Sequence, residues 1–271
     1  MPAFWHDKFQ MSHVTCQNSE ARLSVMKRVP ASAADLPAMP VLDRMTLDRQ
    51  AYRVVREALM SGRLRPGQAI TLRGLAEALG VSRQPVGAAL TRLETEGALL
   101  ASPVSGRLYV PSLTPAELQE LLEIRVHLEG LAARKAARLI TPEELEDVRA
   151  RCRVLEAEAD AADCRGYAMA NWAFHAAVYR SSHSPMLCSA IEPFWLRIGP
   201  YVELMMPDRA SLMASIPTHW QVVDALARRD EAEAEAAIAR DLSESAHALM
   251  ALLRAAPPAP SRPRALPGLL D

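Results

Sequence analysis

The sequence predicts a mainly α-helical protein with one short β-hairpin, and three observations lead to that prediction. Aromatic residues make up only 5% of the 271 residues while Ala, Leu and Arg abound, which favours helices over sheets. Short segments punctuated by glycine precede Pro111–Thr114, and long amphipathic segments follow it. The stretch ALLASPVSGRLYV places two apolar runs around a Pro/Ser/Gly turn, the pattern of a hairpin.

Four parts are expected along the chain. Residues 1–43 show no sustained period and should form a poorly ordered extension, and the Pro-rich residues 255–271 should form a flexible tail. Residues 44–112 should form one compact domain, and residues 113–254 an antiparallel all-α bundle.

The first domain should contain three helices before the hairpin. Thr71 and Ser82 stand at positions that cap the second and third helices, and a glycine follows each of the three. The helices are expected at about Leu47–Ser61, Leu72–Leu79 and Ser82–Glu96. Helix, helix, tight turn, helix and hairpin is the order of a winged helix-turn-helix.

The third helix has the two faces of a DNA-reading helix. Its apolar side should be buried through Val86, Leu90 and Leu93. Its other side carries Arg83, Gln84, Gly87 and Thr91. Arg is suited to guanine and Gln to adenine in the major groove, and Arg107 of the hairpin would reach the backbone or the minor groove. The alternative is a helical subdomain whose arginines form a solvated face.

Charge is divided unevenly between the two halves. Residues 44–113 hold ten arginines, no lysine and five acidic residues, a net charge of +5, although the whole chain carries −1. The extension is neutral, which leaves −6 for the remainder. A basic block ahead of an acidic one indicates a polyanion partner for the first domain.

The second half begins with two capping-box sequences. Thr114 and Thr141 are each followed by Pro at the first helical position and Glu three residues on. Four further helices are expected at about Cys164–Ser181, Pro185–Met206, Ala210–Arg228 and Glu231–Leu253.

Five polar residues fall on apolar stripes of these helices. Each is either a hydrogen-bonded core residue or part of a binding site, since an unpaired charge is costly inside a bundle. They are Arg125, Asn171, His175, His219 and Asp241. For Arg125, Glu129 one turn later is a possible internal partner, and a bound carboxylate is the alternative.

The stretch Tyr52–Pro111 resembles the DNA-binding domain of GntR-family transcriptional regulators. The resemblance lies in the motifs PG, LA, LGVSR, PV, AL, LE and EG and in the hairpin. The second half of the chain resembles the FadR-type (FCD) ligand-binding domain of that family. The segments that match are ELLEIRVHLEGLAARKAA, NWAFHAAVY and the last two helices. Together the resemblance covers most of Tyr52–Leu253. It implies DNA contacts at Arg73, Ser82, Arg83, Gln84, Ser105 and Gly106. The helix and hairpin patterns add Thr91 and Arg107 to this set. Gly87 occupies a position that is usually arginine in the family.

The resemblance also implies a divalent metal centre. Asn171, His175 and His219 match the family's ligand pattern, whereas Asp241 stands where relatives usually have His. Two imidazoles, a carboxylate and an amide oxygen suit zinc, nickel or manganese better than copper(I). The matching EIR arginine lines the effector pocket in relatives, which implies a carboxylate effector held between Arg125 and the metal.

These inferences predict a homodimeric transcriptional regulator, a repressor, that reads a palindromic operator and responds to an organic acid. The alternatives are a regulator in which the metal is itself the effector, and a helical metalloenzyme. No general base or nucleophile is evident beside the metal ligands, so we expect no enzyme. The cysteine spacing fits neither a zinc knuckle nor a CxxC pair, and the lack of a membrane-length apolar run or secretion signal predicts a cytoplasmic protein. The four cysteines, expected to be reduced, are Cys16, Cys152, Cys164 and Cys188.

Overall fold

The computed structural model describes residues 45–255. The expected extension, residues 1–43, and all of the expected tail except Ala255 lie outside the described residues. The domain boundary near Pro111–Thr114 stays a prediction. Within residues 45–255, no helix is both long enough and apolar enough to cross a membrane.

The first part of the described chain is a winged helix-turn-helix. Its elements are α1 Leu47–Met60, β1 Ala69–Ile70, α2 Leu72–Leu79, α3 Arg83–Thr95, β2 Leu100–Ala101 and β3 Leu108–Tyr109. The hairpin strands β2 and β3 pair antiparallel, and β1 adds a third strand on the other side of β3. The predicted mainly helical class with a small hairpin is therefore confirmed, and the extended piece before α2 completes the sheet.

The helix ends of this part follow local chemistry. The Thr71 hydroxyl accepts a hydrogen bond from the Gly74 N–H and so caps α2. Gly80 ends α2 with φ +65°, a left-handed conformation that glycine adopts without steric cost. Ser82 occupies the N-cap position of α3, but its hydroxyl makes no capping bond, so the expected side-chain cap there is wrong.

The second part is a helical bundle. Its elements are α4 Pro115–Leu139, α5 Pro142–Asp160, α6 Cys164–Arg180, α7 Pro185–Ile198, α8 Val202–Met205, α9 Arg209–Ala227 and α10 Glu231–Ala255. Both predicted capping boxes are present, since Thr114 and Thr141 each exchange hydrogen bonds with a glutamate three residues later. Each therefore satisfies amide N–H groups that the start of a helix leaves without intrahelical partners.

One predicted helix is broken. Pro185–Met206 was expected as a single helix, but α7 stops at Ile198 and a 3₁₀ turn over Gly199–Tyr201 separates it from α8. Pro193 removes one backbone donor within α7, and the Gly-Pro pair that follows α7 cannot continue regular α-helical hydrogen bonding at Pro200.

The 3₁₀ turn is where α1 meets the bundle. A Cβ atom built on Gly199 would lie 2.6 Å from the Met60 Cα, so only glycine allows this close approach of two backbones. The Tyr201 hydroxyl accepts a 2.6 Å hydrogen bond from the Leu113 N–H, which fixes the chain ahead of α4. The same segment therefore contacts both the C-terminal end of α1 and the chain that leads into α4.

Candidate metal centre and DNA-binding surface

Helix α3 has the buried apolar side and the exposed polar side that its sequence pattern predicts. Val86, Leu90 and Leu93 are buried at 4% exposure or less, and they hold α3 on the domain core. Arg83, Gln84 and Thr91 are exposed on the other side. The structure thus brings the predicted base-reading residues of α3 onto one free face.

Gly87 lies half-buried on α3 beside α2. A Cβ atom at this position would lie 3.9 Å from the Leu72 Cδ1, an ordinary van der Waals distance. A larger side chain would therefore meet no steric barrier at its Cβ.

The tip of the β2–β3 hairpin projects into solvent. Gly106 turns the chain with φ +65°, and its N–H donates to the Ser102 carbonyl at 2.8 Å. Ser105, Gly106 and Arg107 are exposed, and the Val104 side chain is 95% exposed. Among the described residues neither Arg107 nor Arg83 has an ion-pair partner, whereas Arg73 lies 3.8 Å from Glu77 at the surface.

Three of the predicted metal ligands meet inside the bundle. His175 on α6, His219 on α9 and Asp241 on α10 are all buried, and one ligand atom from each lies within 4.8 Å of the others. The His175 Nε2 is 3.2 Å from Asp241 Oδ2, and the His219 Nε2 is 3.6 Å from Asp241 Oδ1. Both imidazoles thus turn the same ring nitrogen towards one carboxylate.

The tautomer of His219 follows from its neighbours. Its Nδ1 lies 2.9 Å from the Ser215 carbonyl oxygen, which can only accept, so Nδ1 carries the proton. Burial lowers the pKa of His219, more than the nearby Asp241 raises it, so the ring is neutral near pH 7. Its Nε2 is therefore left with a lone pair.

His175 is oriented in the same sense through Tyr179. The Tyr179 hydroxyl donates its proton to Glu129, and its oxygen lies 3.0 Å from the His175 Nδ1. Burial raises the pKa of Tyr179 well above its usual value, so the hydroxyl keeps that proton. The His175 Nδ1 must then be the donor to Tyr179, and the buried Nε2 faces Asp241 Oδ2 at 3.2 Å.

Asn171 completes the predicted set from the edge of the site. It is half-buried, and its Oδ1 lies 2.8 Å from the His219 Nε2. If Nε2 holds a lone pair, an amide oxygen at this distance repels it unless a cation or the amide NH₂ faces the nitrogen.

The three buried side chains could hold a divalent ion, and Asn171 lies beside them. Metal–ligand bonds of about 2.0–2.1 Å place neighbouring donor atoms about 3.0–3.5 Å apart, close to the observed separations of 2.8, 3.2 and 3.6 Å. Burial alone would raise the pKa of Asp241, but His219, His175 and Arg125 hold it below its usual range. A divalent ion binds aspartate as the ionised carboxylate and histidine as the neutral imidazole.

Arg125 lies beside this group and already has a carboxylate partner. Its Nε donates to Glu129 Oε1 at 2.6 Å and its Nη2 to Oε2 at 3.3 Å, with both side chains buried. Burial alone would lower the pKa of Arg125, but Glu129 raises it above its usual value. The internal partner foreseen for Arg125 is therefore present.

A second aromatic residue joins Arg125 to the histidines. The guanidinium of Arg125 lies 4.7 Å from the Trp195 ring centroid, and the same ring is 4.9 Å from that of His175. Trp195 also packs at 5.3 Å against Trp172, whose ring lies 5.2 Å from the guanidinium of Arg56 on α1. The buried centre is thus connected to the winged helix through two indoles in tilted contact.

Sequence reasoning did not identify Tyr179 and Trp195. Tyr179 lies one turn after His175 on α6, so the shared stripe was a signal that could have found it. Trp195 lies on α7 and approaches His175 only through the tertiary packing, for which the sequence holds no local signal.

Comparison with known proteins places both parts of the chain. The family model for bacterial regulatory proteins of the gntR family matches residues 47–108, and the model for the FCD domain matches residues 120–244. A relative from Paenarthrobacter nicotinovorans, named "Probable D-xylose utilization operon transcriptional repressor", is 30% identical over 73% of this chain and 86% of its own length.

The chain belongs to the GntR family. This GntR-family protein is also 29% identical to the HTH-type transcriptional regulator McbR of Escherichia coli K12, over 72% of this chain and 89% of McbR. The solved structure of E. coli McbR/YncC matches with a TM-score of 0.70 at 28% identity, over 77% of this chain and 97% of that one. A transcriptional regulator of Rhodococcus sp. RHA1 shares the fold, with a TM-score of 0.61 at 20% identity. The protein is therefore a DNA-binding transcriptional regulator with an FCD domain, and the expectation that it is no enzyme is confirmed.

Proposed function

We propose that this GntR-family regulator is a homodimeric repressor whose operator affinity is controlled from the buried centre of the bundle. The observation that carries the proposal is the buried group of His175, His219 and Asp241, in which both imidazole Nε2 atoms face one carboxylate. Buried ionisable groups are paired with one another or coordinate a metal, and here three of them meet from three different helices.

For DNA, each subunit would place α3 in the major groove of one operator half-site. Arg83, Gln84 and Thr91 would read base edges, and Ser82 and Arg73 would position the helix on the phosphates. The exposed hairpin tip, Ser105 to Arg107, would reach the backbone or the minor groove. A two-fold symmetric dimer would then select a palindrome.

For the metal, Asn171, His175, His219 and Asp241 would be the ligands. Zinc, nickel and manganese suit two imidazoles with oxygen donors. A bound ion would supply positive charge at the junction of α6, α9 and α10 and fix these helices relative to one another.

For the effector, Arg125 would hold a small carboxylate. Glu129 engages the Nε and Nη2 side of the guanidinium, and an arginine has five N–H donors, so donors remain for a second carboxylate. The effector regulates only if it binds one dimer geometry more tightly than the other. A change of about 10²-fold in operator affinity corresponds to roughly 2.7 kcal/mol of coupling.

A metal-sensing regulator is the second candidate, and one observation favours it. Arg125 is already neutralised by Glu129, and Trp195 packs against both Arg125 and His175. In that case the metal alone would change the geometry, and no organic acid would be needed.

One experiment separates these proposals. Operator sites are selected from random duplexes with the full-length protein, and their affinity is measured for chelated protein and with zinc, nickel or manganese. Each arm is repeated with a panel of organic acids. We expect a palindromic site, about one ion per chain, and an affinity change of at least tenfold with metal plus acid. The same change with metal alone would establish the metal sensor.

The matched control compares two histidines. His219→Ala should abolish metal retention, whereas His247→Ala, an exposed residue on α10, should leave it intact. Equal metal content in both variants and the wild type would overturn the ligand assignment. Because operator DNA lies in the bacterial cytoplasm, we assign the protein to that compartment.

A further inference from the structure

The middle of the exposed face of α3 carries no side chain. Arg83, Gly87 and Thr91 follow one another at intervals of four residues, so they lie on one face of the helix. Arg83 and Thr91 are exposed, whereas Gly87 between them contributes only backbone. The face therefore has a gap, with a cation on one side and a hydroxyl on the other.

The wall of this gap is apolar and comes from the neighbouring helix. A Cβ atom built on Gly87 would lie 3.9 Å from Leu72 Cδ1. Among the described residues, no other atom beyond the adjoining residues and the backbone of α3 lies within 4 Å of that position. Leu72 is the first residue of α2, and 39% of it is exposed. Gly87 and Leu72 thus form an open apolar notch, which we call the α3 notch.

The chemistry of the major groove determines what such a notch can accept. Base edges present nitrogen and oxygen atoms there, and the 5-methyl of thymine is the only alkyl group. A polar base atom set against Leu72 would lose its water without gaining a hydrogen bond, which is costly. A methyl group would instead bury carbon against carbon, which is favourable.

We propose that the α3 notch binds one thymine methyl group in each operator half-site, between the bases that Arg83 and Thr91 contact. Leu72 of α2 is then a specificity-determining residue, although the sequence pattern assigned base reading to α3 and the hairpin. The inference rests on the placement of α3 in the major groove, which belongs to the proposed function.

Deoxyuridine tests the methyl group, because uracil differs from thymine only in lacking it. Thymines of an operator duplex selected with the full-length protein are replaced one at a time, and fluorescence anisotropy measures the affinity. We expect one thymine in each half-site whose replacement weakens binding by about fourfold, the effect of burying one methyl group. At that position, 5-methylcytosine should bind more tightly than cytosine. Unchanged affinity after replacement of every thymine overturns the proposal.

Substitutions of Leu72 test the location. Leu72→Asn keeps a similar size but makes the wall polar, so the thymine and uracil duplexes should bind equally well. Leu72→Met stays apolar and should keep the preference for thymine. The matched control is Leu47→Asn, because Leu47 is an exposed leucine that begins α1 as Leu72 begins α2. If Leu72→Asn fails to fold by circular dichroism, Leu72→Ala replaces it. A preference for thymine that persists in the folded variant overturns the proposal.

Arg83→Ala separates failure of the α3 notch from failure of the placement of α3. If α3 lies in the major groove, this variant should bind the selected duplex more weakly, because Arg83 is the predicted reader of guanine. Weaker binding by Arg83→Ala without any effect of uracil would contradict the notch and leave the placement of α3 standing. Unchanged affinity in both experiments would contradict the placement as well.

Discussion

Asp241 brings a buried carboxylate to within 3.2 Å of the His175 Nε2. The sequence placed Asp241 on an apolar stripe beside Ile238, and the structure shows why its charge persists there. His219, His175 and Arg125 lower its pKa although the side chain is buried. A carboxylate reduces the net charge of a bound divalent ion, which a neutral third imidazole would not do.

Asp241→Asn should weaken metal binding. The amide keeps the size of the side chain but removes the negative charge, so we expect at least a 10- to 100-fold loss of zinc affinity. Competition with a chromophoric chelator measures it, and Asp224→Asn, an exposed residue on α9, is the control. Unchanged affinity in Asp241→Asn would contradict its role as a ligand.

Gly87→Arg should tighten operator binding. The substitution removes a glycine from α3, worth about 1 kcal/mol of helix stability, and its Cβ fits at 3.9 Å from Leu72. The added charge should steepen the dependence of log affinity on log salt by about one unit. Fluorescence anisotropy at several salt concentrations measures both.

Selection of operator sites with the Gly87→Arg variant distinguishes two possible effects of Gly87 on DNA recognition. An unchanged preferred sequence indicates that Gly87 only forfeits an arginine contact. A new preferred sequence indicates that the bare backbone lets α3 approach the groove floor and shifts readout towards Gln84 and Thr91.

At the scale of elements, α1 and α7 form the contact between the winged helix and the bundle. Arg56 of α1 pairs with Glu192 of α7 and lies over Trp172. Trp172 in turn packs at a tilt against Trp195, which lies beside His175. The helix that covers the buried centre therefore also holds α1.

Arg56→Ala should uncouple the two parts and spare the metal site. We expect zinc affinity within about twofold of wild type, but at least a threefold smaller effect of zinc on operator affinity. Arg53→Ala, an exposed arginine of α1 that pairs with Glu57, is the matched control. An unchanged zinc effect in Arg56→Ala would show that coupling bypasses this contact.

The boundaries of some helices could be predicted from the sequence, whereas the contacts between helices could not. Capping residues and glycines act locally, so α2 and the starts of α4 and α5 were predicted to the residue. The break after Ile198 carried a Gly-Pro signal that the apolar run obscured. The Trp195 contacts with Arg125 and His175 depend on packing between helices far apart in sequence, so no local pattern could predict them.

At the scale of the whole molecule, charge and symmetry set the binding to DNA. The block 44–113 carries +5 within a chain of net −1, so attraction to the phosphates is confined to the winged helix. The acidic remainder would repel DNA elsewhere on the surface. This charge distribution therefore turns the winged helix towards the DNA before its side chains contact any base.

The full-length protein should be a dimer that binds operator DNA with a steep salt dependence. Because both winged helices contribute phosphate contacts, affinity should fall by about 10³-fold or more between 50 and 200 mM salt if six or more contacts form. Sedimentation equilibrium measures the oligomeric state, and fluorescence anisotropy measures the affinity for operator DNA. A monomer that binds a single half-site as tightly as the full palindrome would contradict the dimer.

An unbroken hydrogen-bonded chain runs from His175, one of the proposed metal ligands, through Tyr179 and Glu129 to the guanidinium of Arg125. Charge placed at one end polarises every bond to the other. In a protein that binds both an ion and an acid, thermodynamic reciprocity then requires that each alter the affinity of the other by the same factor. Such a regulator would respond fully only when both the ion and the acid are abundant, and loss of either ligand would return it to its unliganded state.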